Sequence, residues 1–306
     1  MSSSIHKQQQ INVKPPGILI IARHGARLDY EARDAGWNWT QSSDRPHDPP
    51  LSETGHTQAR ALGDKIDMLL KEQNLKDVRV RYVYSSPLLR CCQTASGAMS
   101  RLKEIYELQK GHNLNVAEEE EIDACLDGLS RLRVEHGLME SVSLSWYSSW
   151  CLPQSDSTWG FHQKISGWNE DSVQEAVSKN IVHNLALCEV SETLLSPEAL
   201  IKQNGMRSLS IETDHEQVFD LNSKSYKWGS FESRHDNNER MKRIAQELLS
   251  RHPHECILLI SHGGPTTHMY EALTQSSFDS VPLCRYTGTS IYINDGGTIK
   301  NLVVNV

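Results

Sequence analysis

Several common signatures are missing from this chain of 306 residues. Its seven cysteines form no C-x-x-C pair and are odd in number. That excludes the zinc-ribbon spacing and argues against a disulfide framework, so the thiols read as reduced, in a cytosolic or nuclear protein. The fourteen histidines include no H-E-x-x-H, and "HPHEC" is poor ligand spacing, so neither a metal nor a cofactor is expected. No run approaches the about 20 apolar residues that span a bilayer. The opening "MSSSIHKQQQ" lacks the apolar stretch of a signal peptide and reads as a disordered tail over residues 1–14. A basic surplus is also lacking. The net charge of −8 argues against a nucleic-acid partner, and any anion site must be a local basic pocket in an acidic protein.

What is present is an alternation of strand and helix patterns. "ILIIARHGAR" opens with a continuous apolar run, residues 18–22, bounded by prolines and glycines. This is the pattern of a strand buried on both faces of a parallel sheet. "VRVRYVYSS" and "CILLISHGG" read as two more strands, with a shorter one at Leu132 to Val134 and a closing hairpin turning at Gly296 and Gly297. Between them lie helical spacings. One begins after Ser52 as N-cap, one after Ser86 with Pro87 at its first position, one over residues 230–255 and one from Pro265. "LDYEARDAGWNWTQSSDRPHDPP" reads as a loop. The expected fold is a three-layer α/β/α domain over residues 15–306. A mostly parallel central sheet carries helices on both faces, and an irregular, partly helical insertion at about 140–230 acts as a cap. The tryptophans of that insertion read as core or lid packing rather than a substrate platform.

Ligands of open α/β sheets bind just beyond the carboxyl ends of the strands. Arg23, His24 and Arg27 fall at one such end, Arg90 at a second and His262 at a third. Arginine matches phosphate oxygens with a planar fork of donors. An imidazole among fixed cations should have its pKa lowered, and neutral imidazole is a nucleophile. Cys91 and Cys92, next to Arg90, read as packing residues.

The strings "ARHGAR", "PPLSETGHTQARALG", "SSPLLRCCQTA", "RVEHGLMES" and "ISHGG", in that order, resemble the histidine phosphatase superfamily, the group that includes phosphoglycerate mutase. Within it the chain looks most similar to the suppressor-of-T-cell-receptor-signalling and ecdysteroid-phosphate phosphatase type and their fungal homologues. The resemblance rests on "RHGAR" followed by Asp29, on "SPLLRCCQTA" and on "RVEHGLME". It implies a phosphomonoester hydrolase, independent of metals, that works through a phosphohistidine on His24. Arg23, Arg27, Arg90 and a protonated His262 would bind the phosphoryl oxygens, and Glu135 would be the general acid and base. Glu118, in the strand-like "LNVAEE", is the second candidate for the acid, and Asp29 a third. The absence of an R-H-Y-G segment disfavours the rival mutase-type phosphotransferase. The rival from another class is a scaffold or transcription-complex subunit on the same fold. The implied partner is a phosphorylated small molecule or phosphoprotein, with no nucleic acid and no membrane. Terminal strands pair across dimers in this family, so a homodimer is a further expectation.

Overall fold

A computed structural model describes residues 15–36, 43, 45, 48–110, 114–140, 194–206, 209–219, 232–277 and 280–306. The tail at 1–14 and most of the insertion, including all of its tryptophans, lie outside these residues.

Seven strands form one sheet: β1 (Gly17–Arg23), β2 (Val80–Ser85), β3 (Arg131–Val134), β4 (Ser210–Glu212), β5 (Cys256–Ser261), β6 (Thr289–Asp295) and β7 (Thr298–Val303). Their order across the sheet is β4-β3-β2-β5-β1-β6-β7. The first five run parallel, and the β6–β7 hairpin joins antiparallel to β1. β1 and β5, central and covered on both faces, are buried along their lengths, which is why both read as unbroken apolar runs rather than alternating ones.

The helices are α1 (Leu28–Asp34), α2 (Glu53–Glu72), α3 (Leu89–Lys110), α4 (Val116–Gly128), α5 (Pro197–Leu200), α6 (Arg234–Arg251) and α7 (Gly263–Thr274). One face of the sheet packs Ile18, Ile20, Val83 and Leu258 under α2, α3 and α4, through Leu62, Ile66, Met99, Leu102 and Ile122. The opposite face packs Leu19, Ile21, Ile257 and Leu259 under α6 and α7, through Met241, Ile244, Leu248 and Met269. These are the three expected layers. Among the described residues no helix is long and apolar enough to cross a membrane. The five described cysteines, Cys91, Cys92, Cys125, Cys256 and Cys284, are buried and free.

Four expectations are corrected. Residues 28–34, read as loop, form α1; its prolines come only from Pro46 onward, too late to break it. α3 starts at Leu89 rather than Pro87, because Asp48 supplies the cap: its carboxylate accepts the Leu89 N–H at 2.8 Å. α7 starts at Gly263, directly after His262, rather than at Pro265. Residues 210–212, placed inside the cap, are strand β4, paired in parallel with β3 as part of the main sheet.

Candidate active site

Strand register sets the site. Arg23 pairs with Ser261 across β1 and β5, so His24 and His262 leave neighbouring strands at the same level. Ser85 pairs with Ile260 on one side and with Val134 on the other, which brings Ser86 and Glu135 to the same edge. His24, Arg27, Arg90, Glu135 and His262 are all buried.

His24 donates from Nδ1 to the Gly25 carbonyl oxygen at 2.7 Å, which leaves the Nε2 lone pair as the reactive one. Burial, then Arg90 and Arg23, hold its pKa well below the usual histidine value. The loop after it is pinned through its backbone: Gly25 N–H donates to Thr94 Oγ1 at 3.0 Å and Ala26 N–H to Gln58 Oε1 at 2.8 Å. Gly55 in the first turn of α2 has to be glycine, since a Cβ there would stand 2.1 Å from the Ala26 carbonyl oxygen.

The three arginines are each held differently. Arg23 donates to the Cys284 carbonyl at 2.8 Å, and its guanidinium lies 4.5 Å from the centre of the Tyr286 ring. Arg27 forms a fork with both oxygens of Asp29, at 2.9 and 2.8 Å. Asp29 is thus the anchor of Arg27, with both carboxylate oxygens engaged, and not a proton donor. Arg90 is the least satisfied. It is 1% exposed, it donates to His262 Nδ1 at 3.3 Å, and its Nε and Nη1 have no hydrogen-bond partner. Arg23 Nε is buried in the same unpaired state. Buried donors left unpaired cost free energy unless a ligand accepts them. Here they line one cluster with two imidazoles, whose ring centres are 5.2 Å apart.

His262 is engaged at both ring nitrogens. Arginine can only donate, so His262 Nδ1 is an acceptor and its proton sits on Nε2, 2.8 Å from Ser86 Oγ. Burial and Arg90 push its pKa well down. Both features favour the neutral ring in this arrangement.

The carboxylates are also rearranged. Glu118 is excluded: it is exposed at the third position of α4 and forms a capping box with Asn115. Glu135 sits at the β3 end as expected, but its carboxylate is fully enclosed. It accepts N–H groups from Gly137 at 3.0 Å, Val218 at 2.9 Å and Phe219 at 3.1 Å. Burial raises its pKa, and these three bonds pull the other way. Glu140, which the motif reading passed over, is partly exposed. Its carboxylate lies on the first turn of α7, where a Cβ on Gly264 would come within 2.7 Å of Oε1. The adjacent Gly263 faces the Arg23 guanidinium, 3.5 Å from where its own Cβ would stand. Glu140 and Arg23 therefore flank the same helix start.

The sequence profile of the histidine phosphatase superfamily (branch 1) matches residues 19–116 and 203–304. The chain belongs to this superfamily. The mouse (Mus musculus) ubiquitin-associated and SH3 domain-containing protein A is 33% identical over 131 residues, which is 34% of this chain and 19% of that protein. The chain thus spans a minor part of the curated relative it matches. The crystal structure of the ecdysone phosphate phosphatase EPPase from Bombix mori, in complex with tungstate, has a TM-score of 0.50 at 16% identity, covering 94% of this chain and 92% of that one. A phosphoglycerate mutase from Bacillus anthracis str. Sterne has a TM-score of 0.46 at 15% identity, covering 95% and 94%. The histidine phosphatase fold accounts for the mostly parallel sheet and for the convergence of Arg23, His24, Arg27, Arg90 and His262. Asp48 and Tyr286 join this set from outside the quoted strings, whereas Ser86, Thr94 and Glu140 lie within them, at positions to which no site role was given.

Proposed function

We propose that the chain is a phosphomonoester hydrolase that works through a phosphohistidine on His24. The observation that carries this reading is the cluster itself: a buried imidazole whose pKa is held low and whose Nδ1 is engaged, beside arginine donors that no described protein group satisfies. EPPase, which shares the fold, is a phosphatase holding tungstate, a tetrahedral oxyanion. That agrees with a phosphoryl pocket.

In this scheme Nε2 of His24 attacks phosphorus as the bond to the leaving oxygen breaks. Arg23, Arg27, Arg90 and His262 take the equatorial oxygens, whose charge they stabilise without a metal. The proton for the leaving oxygen, assigned to Glu135 from the sequence, goes to Glu140 in this proposal. Glu135 has no exposed surface and all three of its bonds are to backbone N–H groups. It serves as the clamp that ties the β3 end to Val218 and Phe219. Glu140 then takes a proton from water as water displaces His24 and releases phosphate. The substrate is a phosphorylated small molecule or phosphoprotein.

The test is hydrolysis of p-nitrophenyl phosphate in excess chelator by wild type and His24→Ala. Turnover that survives chelation and disappears in the variant supports the reading; chelator-sensitive turnover, or none in wild type, sinks it. Phenyl phosphate, with its poorer leaving group, separates the two glutamates. Glu140→Gln should slow it by about 10²-fold or more, the usual range for a lost general acid, and Glu135→Gln should not.

A further inference from the structure

From the sequence Ser86 is expected to cap the helix; Asp48 accepts the first helical N–H, of Leu89, at 2.8 Å, and Ser86 Oγ receives only the preceding Leu88 N–H, at 3.4 Å. Ser86 is nevertheless completely buried. Its backbone N–H donates to the Ile260 carbonyl at 2.9 Å, so it is fastened to the strand that carries His262.

Resting on the phosphohistidine reading, we propose that Ser86 is the positioning residue of His262. Its hydroxyl oxygen accepts the Nε2–H, fixes the ring tautomer, and reserves Nδ1 for the phosphoryl group. The geometry leaves little choice of tautomer. Nδ1 faces Arg90 Nη2 at 3.3 Å, and a guanidinium has no lone pair to offer, so a proton on Nδ1 would point at another donor. Nε2 faces Ser86 Oγ at 2.8 Å. The thiol of Cys91, 3.4 Å from Nε2, is the other neighbour and a weak acceptor.

The same contact matters when the site is loaded. To donate to a phosphoryl oxygen, Nδ1 must carry a proton, which makes the ring an imidazolium with two N–H groups. Burial opposes this, and so do charged or titratable groups around His262: Arg90 from α3, and His24, Arg27 and Arg23 from the end of β1; the Cys91 thiol of α3 also faces the ring. The phosphoryl dianion favours it. Ser86 Oγ is the one described oxygen that receives the second N–H of the cation. Without it, a buried charged donor goes unpaired, a loss larger than that of a neutral hydrogen bond.

Two measurements test this. Long-range 1H–15N spectra of the free wild-type protein should show His262 protonated at Nε2 and bare at Nδ1. The pH profile of kcat with p-nitrophenyl phosphate should lose its alkaline limb about one unit lower in Ser86→Ala, the shift expected for one charged hydrogen bond. Ser86→Thr, which keeps the hydroxyl, should restore the limb. A role in packing alone would lower kcat equally at every pH and leave the limb in place, and that result overturns the proposal. So does an Nδ1–H tautomer in the wild type. Should Ser86→Ala fail to fold, Ser86→Cys supplies a weaker acceptor, with a smaller shift in the same direction expected and an unmoved limb counting against. The spectra need neither substrate nor variant. A chain that turns nothing over but shows the Nε2–H tautomer would lose the hydrolase reading and keep the Ser86 assignment.

Discussion

His24 gives its Nδ1 proton to the carbonyl of Gly25, the next residue in the chain, at 2.7 Å. In the proposed mechanism this one bond decides which nitrogen attacks. It also needs no other element as a partner, since donor and acceptor belong to adjacent residues. Burial and the arginines keep the ring neutral well below the usual histidine range. A phosphoenzyme trapped by rapid quench should therefore be stable in base, labile in acid and absent from His24→Ala, whose kcat should fall by at least about 10³-fold. Because the depressed pKa keeps His24 unprotonated as pH falls through 6.5, kcat/KM should show no loss centred there. A loss at that pH that follows His24 would contradict the assignment.

On the proposed reading, Arg90 is a buried cation held for a ligand rather than for the fold. Among the described residues two of its nitrogens lack hydrogen-bond partners, and its ion pair with Asp48 is long, at 3.9 Å. Arg90→Met should lower kcat/KM by about 10²- to 10³-fold. Its Tm should stay level or rise, because the substitution removes an unpaired buried charge. Arg90→Lys should recover little activity, since an ammonium cannot reproduce the fork. A Tm that collapses in Arg90→Met while Arg90→Lys remains active would reverse this view.

Glu135 should show the opposite behaviour. Three backbone N–H groups, from Gly137, Val218 and Phe219, converge on its carboxylate. Glu135→Ala strands all three in a buried place and should cost about 3 kcal/mol or more, read from urea unfolding. Glu135→Gln should cost less, because one oxygen, Oε1, takes two of the three bonds. Equal losses for the two variants would mean that the clamp contributes little.

The strand ends were legible because burial on both faces demands unbroken apolar runs, and "ILIIA" and "CILLIS" can hardly be anything else. Arg90 was legible for the same reason: a strand and a helix start bracket it within a few residues. What could not be read depends on where distant segments return. Tyr286 reaches Arg23 from the far end of the chain. Asp48 displaces Ser86 as the cap of α3 from a proline-rich stretch with no pattern of its own. Glu135 and Glu140 lie five positions apart, and the short 3-10 turn at His136–Leu138 between them decides which is enclosed and which reaches α7. Composition cannot rank two glutamates across such a turn. Glu118 was misread because "LNV" is too short for a periodicity, although Asn115 three residues before a glutamate is itself a capping-box pattern.

Thr287 has φ +53°, in the left-handed region that a β-branched residue avoids. The strain is maintained from both sides: Thr287 N–H donates to the His24 carbonyl at 3.3 Å, and its own carbonyl accepts from Lys65 Nζ at 2.9 Å. This turn sets Tyr286 beside the site, 5.8 Å from the His24 ring. Thr287→Gly should relieve the strain and raise stability by about 1 kcal/mol despite the looser unfolded chain. The looser backbone should raise KM more than it lowers kcat. A drop in Tm would show that the Thr287 side chain, which bonds the Tyr286 carbonyl at 2.7 Å, outweighs the strain.

Stability should decline on the acid side of neutrality, and His252 provides the clearest case. Its ring stacks on Tyr82 with centres 3.8 Å apart, and its Nε2 accepts from the Tyr84 hydroxyl at 2.9 Å. Burial, then Arg133, Arg251 and Arg81, lower its pKa to about 4. The Tyr84 phenol, pushed up to about 12 chiefly by burial, stays the donor throughout. The unfolded chain takes up this proton near pH 6.5 and the folded one only near 4, so the unfolded state binds more protons between those values. The contribution is complete above 6.5 and is lost as pH falls toward 4. His24 and His262, both lowered, act in the same direction. The urea midpoint should therefore fall between pH 7 and pH 5. His252→Phe keeps the stack and removes the titration, so its midpoint should fall less over the same interval. A midpoint with the same pH dependence in both proteins would mean that His252 titrates normally in the fold.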